Sequence, residues 1–153
     1  MRRVALAVVV CGLLLANGAR AADKDKQAIR ETILKACQNW SAMNPDANDA
    51  YYAPDAKAVW FDLTPMQYVG WEDYKQGVKK LGEGLESLNI KVHDDLTVNR
   101  HGNFAWVTYT WTAELHLKGG KVERAEARGT DVLEKRQGKW VVVHEHVSIP
   151  APM

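Results

Sequence analysis

Residues Lys121–Pro150 read KVERAEARGTDVLEKRQGKWVVVHEHVSIP and carry the clearest structural signal of the chain. They contain two segments of alternating apolar and polar residues, Val122–Arg136 and Lys139–Ser148, which the short link Gln137-Gly138 joins. This pattern is typical of a long antiparallel hairpin with a tight turn. The sequence therefore predicts two paired strands near the end of the chain, around which the remaining elements are arranged.

Alternation also predicts which side chains share a face of each strand, because residues two apart point to the same side. On the first strand Arg128 and Asp131 fall on opposite faces, so at most one of them points inward. On the second strand, one face is predicted to carry Trp140, Val142, His144 and His146. Charges and imidazoles in the middle of strands indicate that the sheet encloses or contacts something polar.

The N-terminal segment has the pattern of a secretory signal peptide. A basic start at Arg2-Arg3 precedes the apolar run Val4–Ala16, and small residues up to Ala22 fit a cleavage site. The apolar run is shorter than the ~20 residues of a transmembrane helix. We therefore expect residues 1–22 to be removed and the protein to be secreted or periplasmic, without membrane attachment after cleavage.

The mature chain, residues 23–153, is predicted to form a single domain, since its length supports one hydrophobic core. Cleavage would lower the number of basic residues from 20 to 17 against 19 acidic ones. This balance argues against nucleic acid or an anionic membrane as the main partner. Cys37 would be the one remaining cysteine, so the core is expected to hold the fold without an intramolecular disulfide.

Upstream of the hairpin, the hydrophobic pattern predicts helices first and strands later. Helical spacing predicts one helix over 23–43, a short turn at 46–52, and a helix that begins at Trp71 and includes Leu85 and Leu88. Strands are expected at 58–62, 68–70, 90–98 and 104–117. The predicted fold class is therefore α+β.

Short segments along the chain carry a family resemblance. They are Asp49–Ala56, Val59–Asp62, Gly70–Glu72, Gly102–Val107, Arg128–Leu133, Gly138–Trp140 and Val143–Ser148. In this order they resemble the nuclear transport factor 2-like superfamily, in its SnoaL-like and ketosteroid-isomerase-like branch. The resemblance implies a cone, in which a strongly curved antiparallel sheet wraps three helices and opens at one end over a pocket. It also implies a homodimer formed through the outer face of the sheet.

The hairpin is also similar to the association domain of calcium/calmodulin-dependent kinases. The similarity lies in the strand around Thr130, the Gly138–Trp140 turn and the His-x-His-x-Ser ending at 144–148. That domain has an arginine after the threonine, directed at a pocket, whereas this chain has Asp131. The departure weighs against an arginine-lined anion pocket here.

His144 and His146 are candidate site residues, because strand spacing places both imidazoles on one face about 7 Å apart. Such a pair could share a metal, but the sequence does not guarantee the third and fourth ligands that a metal needs. Packing in the sheet, a polar position in a pocket and a place at a dimer interface are the alternatives. We predict no metal and no cofactor, since a glycine-rich phosphate loop and a Cys-x-x-Cys pair are also missing.

Asp62 and Tyr68 are candidates for proton transfer, with His144 or His146 as a further candidate. In isomerase-like members, as the resemblance implies, a pocket carboxylate removes a proton from an acidic carbon while a tyrosine or a protonated acid steadies the enolate. This chemistry needs a carboxylate that an apolar cavity desolvates. An aspartate at the end of a strand is also a common turn former, so both roles stay open for Asp62.

An aromatic pocket is expected from the six tryptophans of the chain. Most should lie in the core, and a surplus lining a pocket would suit a flat apolar ligand. The predicted ligand-binding residues are Trp40, Trp60, Asp62, Tyr68, Trp111, Arg128, His144 and His146, with Trp106 as a further aromatic. An inward Arg128 would favour an acidic ligand, whereas an outward one would pair with a neighbouring acid.

These patterns support three functions. The first is an exported protein that binds a small, partly apolar molecule, which is the function that an aromatic pocket with few polar groups favours. The second is a cofactor-independent enzyme of the isomerase or cyclase kind. The third is a homo-oligomeric interaction module that uses the outer face of the hairpin.

Overall fold

The computed structural model describes the backbone of residues 4–151 and the side chains of residues 20–151. Its helices are α1 (Val4–Ser41), a 3-10 helix (Pro45–Ala50) and α2 (Trp71–Gly82). Its strands are β1 (Val59–Phe61), β2 (Tyr68–Val69), β3 (Leu85–Val92), β4 (Thr97–His101), β5 (Phe104–Leu117), β6 (Val122–Arg136) and β7 (Lys139–Ser148). The signal-peptide prediction rests largely on side chains outside this range and stays a prediction.

The seven strands form one curved sheet in the order β2-β1-β7-β6-β5-β3, with β4 also paired to β5. The predicted hairpin is confirmed, since β6 and β7 pair antiparallel with the expected bounds. All the pairings are antiparallel except that of β1 with β7, which run parallel. The predicted α+β class, with a curved sheet against a few helices, is confirmed.

Two predictions between α2 and β5 were wrong. The helix ends at Gly82 and does not reach Leu85 or Leu88, which belong to β3 and pair with β5. The residues expected to form one strand over 90–98 belong to two strands, since β3 ends at Val92 and β4 begins at Thr97. In both places pairing with the long strand β5 overrides the local spacing of apolar residues.

A β-bulge in β7 corrects the predicted faces of the hairpin. The register shifts by one between the pairs Val132–His144 and Leu133–Val142, so Val143 has no partner on β6. One extra residue moves every later side chain to the other face. The core side of β7 therefore carries Trp140, Val142, Glu145 and Val147. His144 and His146 lie on the outer side, which is the face opposite Trp140 and Val142.

The core fills the space between α1, α2 and the inner face of the sheet. One face of α1 buries Ile29, Ile33, Ala36 and Cys37, as the helical spacing predicts. An aromatic cluster packs beside them and consists of Trp40, Tyr52, Trp60, Tyr68, Trp71 and Tyr74. Within the cluster the rings of Tyr52 and Trp71 stack with centroids 4.5 Å apart. No helix within the described residues is long and apolar enough to cross a membrane.

Gly77 of α2 lies directly against Tyr68, and a Cβ at this position would come within 2.1 Å of its ring. We expect Gly77→Ala to lower the free energy of unfolding by about 1–3 kcal/mol, because overpacking outweighs the gain in helix propensity. Gly82→Ala in the same helix is the matched control, since nothing lies within 4 Å of its Cβ position. Urea denaturation should find that control as stable as the wild type or more so; two equally stable variants would contradict the packing.

Candidate functional site

A cavity of about 490 Å³ lies between the helices and the inner face of the sheet. Small-molecule sites usually measure ~300–1,000 Å³. Most of its wall is aromatic or aliphatic, and includes Trp40, Tyr74, Val78, Leu88, Ile90, Tyr109, Trp111, Leu115 and Val147. Its charged residues are Asp62, Lys79, Glu123, Arg124 and Glu145. The cavity therefore combines an apolar body with a small number of polar groups.

Glu145 is the most enclosed charged group on this wall, with 5% of its surface exposed. The Tyr52 hydroxyl donates a hydrogen bond to Oε2, and the Tyr74 hydroxyl donates one to Oε1 at 2.5 Å. Trp40 Nε1–H in turn donates to the Tyr52 hydroxyl oxygen at 3.1 Å. Both carboxylate oxygens are thus oriented by phenols before any ligand arrives.

Backbone pairing explains why Tyr52 meets Glu145. The segment after the 3-10 helix runs along β7, where Ala53 N–H donates to the Val142 carbonyl and Val142 N–H donates to the Tyr51 carbonyl, both at 2.8 Å. Tyr52 is thereby paired with Val142, which precedes Glu145 on the same face of β7 on the other side of the bulge. The sequence thus brings the phenol to the carboxylate through two main-chain hydrogen bonds.

A second set of contacts holds α2, and with it Tyr74, against the 3-10 helix. Asp49 Oδ1 accepts hydrogen bonds from Trp71 Nε1–H at 2.7 Å and from Lys75 Nζ at 3.0 Å. Lys75 also lies 3.0 Å from Glu72. Because these contacts fix α2, they also fix the direction from which Tyr74 reaches Glu145.

Asp131 lies directly across the sheet from Glu145, as its partner on β6. It is 1% exposed, and neither of its carboxyl oxygens has a hydrogen-bond partner among the described residues. Burial, and then the charge of Glu145, raise the pKa of Asp131 well above its usual range. Burial also raises the pKa of Glu145, although the hydrogen bonds from Tyr52 and Tyr74 favour its charged form. Asp131 is therefore the neutral member of the pair and Glu145 the charged one.

Tyr109 and Cys37 complete the wall next to this acid pair. Tyr109 is the cross-strand partner of Gly129, where a Cβ would come within 2.7 Å of the tyrosine ring. The missing side chain lets the ring lie across β6 towards the acids. Cys37 Sγ is 4.0 Å from the Tyr109 hydroxyl, and burial strongly raises the pKa of the thiol. Cys37 is therefore an uncharged packing group and a poor nucleophile.

Asp62 follows β1 and lines the same cavity. Its Oδ1 accepts a hydrogen bond from Leu63 N–H at 2.7 Å, which is the contact expected of a turn former. Burial, and then the charge of Glu145, raise the pKa of Asp62 to about 6. Asp62 thus shapes the turn, and its carboxyl group also lies on the cavity wall; its predicted role in proton transfer stays a prediction.

The structure brings some of the predicted site residues together and separates others. Trp40, Asp62 and Trp111 line the cavity. Trp60 and Tyr68 do not: Trp60 is 0% exposed within the aromatic cluster, and the Tyr68 hydroxyl donates to the Thr64 carbonyl at 3.1 Å. Large aromatics close to the helices are used to fill the core, which spacing in the sequence does not reveal.

The remaining predicted residues lie on or near the outer side of the sheet. Arg128 is exposed and donates to Ser148 Oγ at 3.0 Å, so it does not face the cavity. Trp106 is 47% exposed on the outer side of β5. The imidazole Nδ1 of His144 is 2.7 Å from the Val59 carbonyl oxygen. His146 is exposed and lines a surface depression that shares Asp62 and Val147 with the cavity. Over residues 20–151, no three His, Cys, Asp or Glu side chains converge to hold a metal.

Four residues of the site, Glu145, Tyr52, Tyr74 and Tyr109, are not among those that the sequence patterns predict. Unbroken alternation along β7 would place Glu145 on the same face as Val141 and Val143. The bulge instead places it on the core side, with Val142. One signal was available, because Asp131 falls on the same predicted face as Ala127, Gly129 and Leu133. An acid on an otherwise apolar face indicates a buried polar contact, but not its partner.

Comparisons with known proteins agree with this fold. The family model of the SnoaL-like domain matches residues 29–152. No curated protein matches the sequence. A nuclear transport factor 2-like superfamily protein from Salmonella enterica serovar Typhimurium LT2 superposes with a TM-score of 0.80 at 18% identity, and the match covers 86% of this chain and 95% of the other.

Two further solved structures are similar at low identity. One, from Novosphingobium aromaticivorans, is provisionally described as a scytalone dehydratase and has a TM-score of 0.76, 10% identity, and coverage of 87% and 89%. The other, from Xanthomonas campestris, is provisionally described as a calcium/calmodulin-dependent protein kinase II association domain, with a TM-score of 0.59, 22% identity, and coverage of 79% and 84%. The class is thus a nuclear transport factor 2-like fold, and the chain belongs to the SnoaL-like domain family.

Because the pKa of buried Asp131 is raised, this residue should make the stability of the protein depend on pH, and Asp131→Asn should remove its part of that dependence. The pKa of Asp131 is higher in the folded than in the unfolded chain, where it is about 3.9, so folding takes up a proton above that pH. The stability that Asp131 contributes is therefore complete below about pH 4 and is lost as pH rises towards its folded pKa. An asparagine side chain at this position does not titrate. In urea denaturation the stability of Asp131→Asn relative to wild type should rise as the pH increases above about 4.

Asp62→Asn is the matched comparison, because the pKa of Asp62 in the folded chain is about 6. Its relative stability should rise in the same direction but level off once the pH exceeds about 6, where folded Asp62 is ionised as well. Parallel stability curves for the wild type and Asp131→Asn over the whole range would contradict a protonated Asp131.

Proposed function

We propose that this protein binds a small, largely apolar molecule in the cavity and holds its polar group against Glu145. The observation that carries this proposal is one enclosed carboxylate, oriented by two phenols, on the wall of an apolar cavity of about 490 Å³. Ligand sites commonly have this composition, in which apolar surface supplies affinity and a few fixed polar groups set orientation.

The hydrogen bonds to Glu145 also indicate that the site is already formed before a ligand binds. Tyr52 and Tyr74 already satisfy part of the hydrogen-bonding capacity of Glu145, so the carboxylate does not need to reorganise. A site whose side chains are held in one arrangement loses little conformational entropy on binding. The aromatic cluster behind it supports the same rigidity, because its rings pack directly on one another.

Ala113 and Ala125 are cross-strand partners whose small side chains help to form the cavity wall. Ala125→Phe should fill part of the cavity and weaken binding of N-phenyl-1-naphthylamine, a neutral apolar fluorophore, by about tenfold or more. Fluorescence titration measures the dissociation constant. Thr108→Phe adds an aromatic ring at an exposed position of β5 and is the control, for which we expect the wild-type value.

Circular dichroism of both variants separates lost binding from lost fold. The proposal fails if the wild type does not bind the fluorophore, or if Ala125→Phe binds it as tightly as the wild type does. Mass spectrometry of the natively purified protein then identifies any small molecule that it retains.

A second candidate function is proton transfer, which Asp62 favours. Its pKa of about 6 suits a general base near neutral pH, and it shares the cavity with Glu145. We therefore narrow the isomerase or cyclase hypothesis to Asp62 as the base, because Tyr68, His144 and His146 do not line the cavity. A similar fold that is provisionally described as a dehydratase is compatible with such chemistry.

Deuterium exchange into cyclic ketones in D2O tests this second function by NMR. Exchange catalysed by the wild type should increase with pH through about 6 and then level off, because only ionised Asp62 accepts a proton. Asp62→Asn should lower the rate by about 10²–10⁴-fold. Asp94→Asn, at an exposed turn position, should keep the wild-type rate. Equal exchange rates with and without the protein would rule out catalysed proton transfer on such substrates.

Export and self-association are further parts of the proposal. The signal-peptide pattern of residues 1–22 supports a secreted or periplasmic location. Phe104 and Trp106 are exposed on the outer side of β5 and support a homodimer, or an interaction module, through that face. N-terminal sequencing of the exported protein and light scattering at micromolar concentration test the two statements separately.

A further inference from the structure

The acidic groups at the cavity have unused hydrogen-bonding capacity. Glu145 and Asp62 both line the wall, and Asp131 lies next to Glu145 on the neighbouring strand. Within the described chain, Asp62 accepts a hydrogen bond only through Oδ1, from Leu63. Both oxygens of Asp131 are buried without such a partner there. Asp131 is neutral and adds no charge, but Glu145 and Asp62 lie on the wall without a basic side chain among their hydrogen-bond partners.

The basic residues on the same wall are already paired with other acids. Lys79 Nζ lies 2.7 Å from Asp46 Oδ1. The guanidinium of Arg124 contacts Glu114 Oε2 through Nη2 at 2.9 Å and through Nε at 3.0 Å. Neither partner acid lines the cavity. Lys79 and Arg124 are therefore directed to acids outside it, and do not neutralise Asp62 or Glu145.

Aromatic rings form a further part of the cavity wall. Trp40, Tyr74, Tyr109 and Trp111 all line the cavity. The face of an aromatic ring attracts a cation and repels an anion, and the attraction is larger where water is excluded. A carboxylate beside several aromatic rings is therefore an environment that selects for positive charge.

We propose that the ligand is a small organic cation, an amine on an aromatic or aliphatic skeleton, whose ammonium group binds between Glu145 and Asp62. This inference rests on the proposed binding function and adds the charge of the ligand to it. An anion would meet two acids without a free basic partner, and a neutral ligand would leave their charges uncompensated. An ammonium group supplies both the charge and up to three hydrogen-bond donors.

Cation binding should also release protons. The titratable side chains that face Glu145 come from α1, the segment after the 3-10 helix, the turn after β1, α2, β5 and β6. They are Cys37, Tyr52, Asp62, Tyr74, Tyr109 and Asp131. All of them are acids whose charged form is disfavoured by burial. A bound cation favours ionisation of its carboxyl neighbours, so part of a proton leaves on binding near pH 6.

Three compounds of similar size and different charge test the inference by isothermal titration calorimetry at about pH 6, near the pKa of Asp62. They are 2-phenylethylamine, 2-phenylethanol and phenylacetate. The amine should bind about tenfold or more tightly than the alcohol, and the acid more weakly than either. Titrations in two buffers with different ionisation enthalpies should show that the amine, but not the alcohol, releases protons.

Variants show whether the preference comes from the proposed carboxylates. Glu145→Gln should bring the affinities for amine and alcohol within about threefold of each other. Asp62 is half-buried in a turn, so Asp62→Asn is less disruptive to folding than Glu145→Gln. It should reduce both the preference for the amine and the proton release. Glu126→Gln removes the same charge from an exposed position on β6, and should change neither.

Amine binding no tighter than alcohol binding, in a protein that still binds N-phenyl-1-naphthylamine, would overturn the inference and leave the binding function intact. An amine preference that survives both Glu145→Gln and Asp62→Asn would also overturn it. If neither the fluorophore nor any of the three compounds binds, the binding function itself fails, and the charge assignment fails with it.

Discussion

The buried contact between Asp131 on β6 and Glu145 on β7 determines how the helices and the cavity are arranged around it. Two carboxyl groups side by side in a core are costly unless one is neutral and the other is hydrogen-bonded. Here Asp131 takes the neutral form, and the phenols of Tyr52 and Tyr74 hold the charge of Glu145. Tyr74 belongs to α2 and Tyr52 to the segment after the 3-10 helix, so Glu145 also holds both of these parts against the sheet.

One residue determines that this contact exists. Val143 has no partner on β6, and this bulge brings Glu145 to the core side of β7 while it leaves His144 and His146 outside. With unbroken alternation, the two imidazoles would lie with Trp140 and Val142, and Glu145 would lie opposite them. The same short sequence could thus form either a histidine-lined or an acid-lined wall, and the register selects the acidic one.

The sequence predicts the parts of the fold that depend on local patterns. The bounds of β5, β6 and β7 and the buried face of α1 follow from residues that are close in the chain, and the order of segments indicates the family. Other features depend on contacts between distant residues. Leu85 and Leu88 join a strand because β5 is available to pair with them. Trp60 fills the core while Trp111 lines the cavity, because helix packing decides which ring is covered.

The chemistry of the site requires one protonated and one charged carboxyl group in the acid pair, and ¹³C NMR of protein labelled at the aspartate side-chain carboxyl carbons detects the protonated member. We predict one signal that keeps the chemical shift of a protonated acid above the pH at which an ordinary aspartate ionises, and that disappears in Asp131→Asn. Asp62 should give a separate signal with a midpoint near 6. If every aspartate titrates near 4, the value typical of an unperturbed aspartate, Asp131 does not share a buried proton-bearing site with Glu145.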